Sequence, residues 1–177
     1  MCERLIEEIS SKYDISDLDE IQPPSPNTLN EYNINLFNRA TKETALACFI
    51  KIIGGKQKHI MIIETIKRYA SAEKGLGKKI LYILACKAKE YNISKIWFIA
   101  SALWNKKNSV TGPNQTRLEK YYNNLGFTKK GEKTNPFEQE YYTSPDDLIA
   151  KIESVNVKAE ARTRKRNNRN RQKTRKI

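Results

Sequence analysis

The chain has 177 residues, 38% of them hydrophobic and 30% charged, and a net charge of +13, which suits one domain with appendages around an ordinary core. No uncharged apolar run approaches the ~20 residues of a membrane span, and Met1-Cys2-Glu3-Arg4 lacks the basic-then-apolar order of a secretory leader, so an intracellular protein, cytoplasmic or nuclear, with no membrane partner is expected. Cys2, Cys48 and Cys86 are far apart without a C-x-x-C pair and His59 is the only histidine, which argues against a metal site, a disulfide framework and a histidine triad.

Residues 2–11 place Leu5, Ile6 and Ile9 at helical spacing, and the Asp-rich stretch after them runs into Pro23-Pro24-Ser25-Pro26, which stops regular structure. Asn33 to Phe37 and Thr44 to Ile53 read as strands, and Gly54-Gly55 as a hairpin turn into a strand over Lys58 to Ile66. Leu76 to Tyr91 carries a broad apolar helical face with Lys78, Lys79, Lys87 and Lys89 on its basic side. Ile93 to Ala100 is a compact apolar run read as a buried strand, so that strand, helix and strand form a parallel crossover. Ala102 to Pro113 looks irregular. Asn114 to Leu125 reads as a helix with Gly126 as its C-terminal cap, Phe127 to Lys130 and Phe137 to Tyr142 as a last strand pair, and Ser144-Pro145-Asp146-Asp147 as the start of a last helix. Three parts are expected: an acidic N-terminal helix and Pro-rich segment (1–31), an α/β domain with a mostly antiparallel mixed sheet (32–157), and a disordered basic tail (158–177).

Lys74-Gly75-Leu76-Gly77-Lys78-Lys79 sits where a strand gives way to a helix. Glycines let the backbone approach a ligand, and the free N–H groups and dipole of the following helix favour an anion. The run lacks both the spacing of a Walker loop and the third glycine of a dinucleotide fingerprint, since position 80 is Ile80. A second motif, Tyr122-Asn123-Asn124-Leu125-Gly126-Phe127, follows the next strand and helix. In this order, from about Asn33 to Tyr142, the chain resembles the GNAT superfamily of acetyl-CoA-dependent N-acyltransferases.

The resemblance implies a GNAT-like sheet with a central parallel β-α-β crossover, acetyl-CoA as cosubstrate, and transfer of its acetyl group to a primary amine, on a small molecule or on a protein lysine or N-terminus. The family loop [QR]-x-x-G-x-[GA] here reads Ala72-Glu73-Lys74-Gly75-Leu76-Gly77. Ala72 therefore removes one side-chain contact, leaving backbone donors from Lys74 to Lys78 and the charges of Lys74, Lys78 or Lys79 for the pyrophosphate. The resemblance also implies that a tyrosine matching Tyr122 protonates the leaving thiolate, and that backbone at about Thr65, Ile66 and Lys67 contacts pantetheine and the oxyanion. Tyr122 either donates or simply packs, with Tyr121 as the competing donor. Glu64 interrupts the apolar run Ile60-Met61-Ile62-Ile63 and is either the base for the amine or a solvated residue on the alternate face. His59 reads as a capping or exposed residue. Ala102 to Pro113 looks like an insertion relative to the family, with Asn105, Asn108 and Asn114 competing for a coenzyme A contact.

The charge is polarised. Residues 1–31 hold eight acids against Arg4 and Lys12, whereas Ala161 to Ile177 holds nine Lys/Arg and no acid. Asp14, Asp17, Asp19 and Glu20 either recruit a cationic amine or are simply solvated or paired with the tail. Residues 162–176 resemble Arg-rich segments that bind nucleic-acid phosphates, without aromatics for base stacking. The alternative to an active acetyltransferase is thus a catalytically inactive GNAT scaffold that binds nucleic acid through its tail. Homodimerisation through the last strands is left open.

Overall fold

A computed structural model describes residues 2–56, 58–101, 115–131 and 138–155. The elements run α1 (Cys2–Ser10), β1 (Tyr13–Ile15), β2 (Leu29–Asn38), β3 (Thr44–Ile53), β4 (His59–Arg68), α2 (Leu76–Glu90), β5 (Ile93–Ser101), α3 (Gln115–Asn124), β6 (Thr128–Lys129) and β7 (Glu138–Thr143), followed by a helix α4 over residues 145–155. The strands form one sheet in the order β1-β2-β3-β4-β5-β7-β6. Only β4 and β5 pair in parallel among these strands; every other neighbouring pair is antiparallel. The expected meander, crossover and final strand pair are all present, and β3 has the bounds read from its sequence. β2 begins earlier and β4 ends two residues later than expected.

Alternation along the strands sorts the sheet into two faces. Ile34 and Leu36, then Leu46, Cys48, Ile50 and Ile52, then Met61 and Ile63, then Ile96 and Phe98, and finally Tyr141 point into the core. Helix α2 lies at its centre. Ile80 through Ala85 are six consecutive buried residues, more of the circumference than one amphipathic stripe requires, because α1 and α4 flank α2 as well. Tyr82 Oη donates to Glu153 at 2.6 Å and Lys89 Nζ to Asp146 at 2.6 Å. Burial, with the Glu153 carboxylate beside it, pushes the Tyr82 phenol up to about 12.

The expectation of no disulfide is corrected: Cys2 is bonded to Cys86 across 84 residues of sequence, with Cα atoms 6.4 Å apart. Sequence spacing carried no sign of it, because α1 reaches α2 only when the N-terminal segment folds back on the domain. Ile9, Tyr13, Leu18 and Ile21 from that segment join the core. β1, too short to read from alternation, pairs with the edge of β2 at Tyr13↔Asn38 and Ile15↔Leu36. Asp14 binds Arg39 at 2.9 Å and Lys42 at 3.5 Å, so one acid of the segment is spent on the β2–β3 hairpin.

Helix α3 ends as its sequence indicates. Gly126 adopts φ 85°; its N–H donates to Asn123 O at 3.1 Å and that of Phe127 to Tyr122 O at 3.2 Å, the paired bonds of a Schellman cap. At the start of α4, Ser144 Oγ accepts from the Asp147 N–H at 3.1 Å and donates to its carboxylate at 2.6 Å, a reciprocal cap with Pro145 at the first helical position.

Candidate active site

The site begins with a fault in the sheet. Phe49 pairs with Thr65 but Ile50 with Ile63, so Glu64 is an extra residue in β4, the signature of a β-bulge. Beside the bulge the parallel ladder stops at Ile63↔Phe98, although β4 continues to Arg68 and β5 to Ser101. From Glu64 onward the two strands no longer bond to each other. β4 keeps its antiparallel partner on the other side through Cys48↔Ile66 and Leu46↔Arg68, while among the described residues no strand pairs with its opposite backbone edge, facing the gap. Backbone polar groups left this way demand a partner. Thr65 and Ile66, expected to contact pantetheine, lie along this edge, and Lys67, expected with them, follows with its ammonium 4.8 Å from the Tyr69 ring.

Above the gap the chain turns into α2. The Tyr69 N–H donates to Ala45 O at 2.9 Å, the Ala72 N–H to Tyr69 O at 3.1 Å, and Ser71 Oγ to Thr44 O at 2.9 Å. Ala72, where the family has a long polar side chain, packs against the core. Gly75 caps α2 in the left-handed region, at φ 91°. A Cβ on Gly75 or Gly77 would meet no atom within 4 Å, so the protein's own packing does not require glycine at 77. Among the described residues the N–H groups of Gly75 and Gly77 meet no backbone carbonyl. The loop is an open concavity of donors at a helix N-terminus, which suits an anion.

The lysines of the loop differ. Lys74 is exposed and, among the described residues, makes no ion pair. Lys79 is held by Glu73 at 2.5 Å and by Glu8 of α1 at 2.8 Å, while Lys12 binds Glu73 at 2.9 Å. Burial alone would lower the Lys79 ammonium, but the Glu73 and Glu8 carboxylates outweigh it and hold its pKa up. Hydrogen bonds from Lys79 and then Lys12 hold the Glu73 carboxyl below its ordinary range. Lys78, in the first turn of α2, is half-buried.

Tyr122 lies on the other side of the gap, on α3, amid aromatic rings: Phe98 at 4.2 Å, Phe127 and Tyr141 both at 5.8 Å, centroid to centroid. Its hydroxyl donates to no described residue, and burial, followed by the neighbouring Tyr121, Cys48 and Tyr141, pushes its pKa well above the ordinary phenol value. It is therefore a neutral donor at any physiological pH. The Cys48 thiol beside it is raised to about 12 by burial and is correspondingly inert. Tyr121 points to the outside, 40% exposed; partial burial raises its phenol while Arg68, at the end of β4, pulls the other way.

Glu64 is partnered as well. Lys51 Nζ stands 2.8 Å from its carboxylate and 3.1 Å from that of Glu31 on β2. Those two hydrogen bonds raise the Lys51 ammonium above its ordinary pKa. Lys51 is a residue the sequence reading passed over, although a lysine inside the apolar run Ala45 to Ile53 was a visible signal. Arg68 and the Glu8–Lys79 contact left none, since both depend on where distant elements meet. His59 lies at the opposite end of β4, with its carbonyl accepting from Ser94 Oγ at 3.2 Å. Asn105, Asn108 and Asn114, and the basic tail, lie outside the described residues. Among the described residues no cluster of His, Cys, Asp or Glu could hold a metal ion, and no helix is long and apolar enough to cross a membrane.

Strand order, single parallel crossover, bulge and parting of β4 from β5 stand together. The fold is GNAT-like. No family model matches the sequence, and no curated protein matches it. Solved structures with a similar backbone path include Arabidopsis thaliana Naa50 in complex with a bisubstrate analogue, 13% identical over 63% of this chain and 72% of that one, with a TM-score of 0.48. A variant of the spermidine N-acetyltransferase SpeG from Vibrio cholerae is 13% identical over 67% of each chain, with a TM-score of 0.47. An acetyltransferase of Bacillus subtilis in complex with CoA is 15% identical over 63% of this chain and 76% of that one, with a TM-score of 0.43. At such distances the chemistry must be argued from this chain's own residues.

Proposed function

We infer that the chain is an acetyl-CoA-dependent N-acetyltransferase that moves an acetyl group to a primary amine by direct attack in a ternary complex. One observation carries the reading: the unpaired β4 edge beyond the Glu64 bulge leads straight to the open donor loop at the N-terminus of α2. A ligand with an amide-bearing arm and a pyrophosphate suits both at once. The edge at Thr65 and Ile66, with Lys67 beyond them, pairs with the arm as a strand would, and the N–H groups of Gly75 and Gly77 face the phosphates, while that of Leu76 donates to Glu73 O at 3.3 Å. Lys74 and Lys78 add charge. Lys79 contributes by exchanging a carboxylate partner, or by holding Glu73 and α1 in place.

The remaining groups have distinct tasks. Glu64, at the apex of the gap, takes the proton of the attacking amine directly or through water, with Lys51 fixing its orientation. A backbone N–H of the freed edge faces the developing oxyanion. Tyr122 hydrogen-bonds the departing sulfur and gives it a proton as the carbon–sulfur bond breaks; since a thiol of reference pKa ~8.5 is a stronger acid than the phenol, that transfer runs uphill and is completed when the phenolate recovers the proton shed by the attacking amine through solvent. Burial keeps Tyr122 protonated before the step and makes it a weak acid in it.

Thermal melting with acetyl-CoA, followed by an amine panel assayed for free thiol, tests the reading. Stabilisation by the ligand and amine-dependent thiol release support it. No stabilisation at millimolar acetyl-CoA rejects it.

A further inference from the structure

The face of the sheet opposite the helices is not bare hydrocarbon. Register places Glu31, Lys51, Ile62, Trp97, Tyr142 and Thr128 in one row across six strands, and alternation turns this row away from the core. Trp97 and Tyr142 are directly opposite one another across β5 and β7. Phe49 stands on β3 two residues from Lys51, on the same face. Each of the three rings carries an ammonium: Lys130 lies 4.3 Å from the Trp97 ring, Lys95 5.5 Å from Tyr142 and Lys51 5.5 Å from Phe49. The rings are half-buried, no described helix covers them, and Ile99 beside them is 51% exposed.

The charges on this face are uneven. Lys51 is committed to Glu31 and Glu64, and Lys130 shares an exposed pair with Glu140 at 3.4 Å, which contributes little. Lys95 is exposed and makes no ion pair among the described residues. Among the described residues the buried Trp97 indole N–H has no acceptor, an unsatisfied donor that calls for an explanation. An apolar protein partner would prefer rings without ammonium groups on them. Rings flanked by ammonium groups, on a sheet face that no described helix covers, match a ligand that offers both π-faces and phosphates.

We propose that this face binds single-stranded nucleic acid, with unpaired bases stacking on Trp97 and Tyr142 and phosphates drawing Lys95 and Lys130 off the rings. A duplex hides its base faces and does not fit a flat platform. The site is separate from the donor loop at the N-terminus of α2. It also supplies the stacking that the Arg-rich residues 162–176 lack.

The test uses the full chain with Trp104→Phe, which leaves Trp97 as the only one of two tryptophans. Labelled oligouridylate, oligothymidylate and a duplex of equal length are titrated while anisotropy and tryptophan emission are recorded. The proposal expects saturable quenching of Trp97 by single strands, weakening as salt rises; the uridylate and thymidylate arms separate RNA from DNA. Tyr142→Ala lowers the affinity about tenfold, the size of one lost stacking contact. Lys95→Glu, at an exposed position that keeps the fold, lowers it about fivefold by removing a phosphate partner. Binding that leaves Trp97 unquenched and treats duplex and single strands alike overturns the proposal in favour of tail contacts alone. Self-association that shields Trp97 without any oligonucleotide also overturns it, giving the face to a second copy of the chain.

Discussion

Gly77 separates a glycine kept for a ligand from one kept for the backbone. It is the second residue of α2, and a Cβ there meets nothing within 4 Å. Gly77→Ala therefore adds no clash and removes unfolded-state entropy; at the end of a helix this is about half the interior Gly-to-Ala difference, or ~0.5 kcal/mol of added stability. For a chain of this size that is about 1–2 °C in melting temperature. If the N–H groups of this turn hold a pyrophosphate, the same methyl group stands where the phosphate must approach. Losing one hydrogen bond to a charged group costs ~1.5–3 kcal/mol, roughly a ten- to hundredfold weaker coenzyme A complex. Gly75→Ala behaves oppositely. Its φ of 91° places an alanine in the left-handed region, at ~1–2 kcal/mol of lost stability with or without ligand. Melting curves of the free variants and calorimetric titration with coenzyme A read both quantities. A Gly77→Ala protein that binds coenzyme A as tightly as the parent refutes the phosphate role of this turn, and one that melts well below the parent refutes the packing argument.

Other outcomes follow from the same geometry. Tyr122→Phe removes a hydroxyl that donates to no described residue; melting stays within about 0.5 kcal/mol while turnover falls about a hundredfold, whereas Tyr121→Phe leaves turnover near the parent value. Gly126→Ala, at φ 85° with Lys151 side-chain carbons 3.4 Å from the added Cβ, loses ~1–2 kcal/mol in a denaturant titration. Glu73 has a folded-state pKa below its unfolded value, so its contribution is complete above about pH 4.3 and is lost as pH falls through the folded value; Glu73→Gln flattens that part of the acid stability curve. Reducing Cys2–Cys86, which closes 84 residues of chain, lowers stability by up to about 4.5 kcal/mol on the chain-entropy account, read by urea titration with and without reductant.

What the sequence revealed divides along physical lines. Features set by neighbours in the chain were legible: the alternation of β3, the apolar faces of α2, Gly126 at the end of α3, and Ser144 with Pro145 at the start of α4. The glycine pair and its place before a crossover helix were legible for the same reason. Features set by register were not. Glu64 could be seen to break an apolar run, but its being a bulge depends on which residues of β3 it lies beside, and the parting of β4 from β5 depends on that bulge. Lys79 illustrates a third kind of loss. Its charge next to the glycines suggested phosphate, yet Glu8 reaches it from α1 across 71 residues of sequence, and only the packing of α1 on α2 brings them together. The disulfide escaped for the same reason.

The reading of the gap and loop as an acetyl-transfer site is tested most directly by the rate of free-thiol release from acetyl-CoA at saturating amine, compared between the parent chain and Tyr122→Phe. The account predicts release that requires the amine and falls about a hundredfold in the variant. Release that is equal in the two proteins, or absent from both while acetyl-CoA fails to bind, contradicts it.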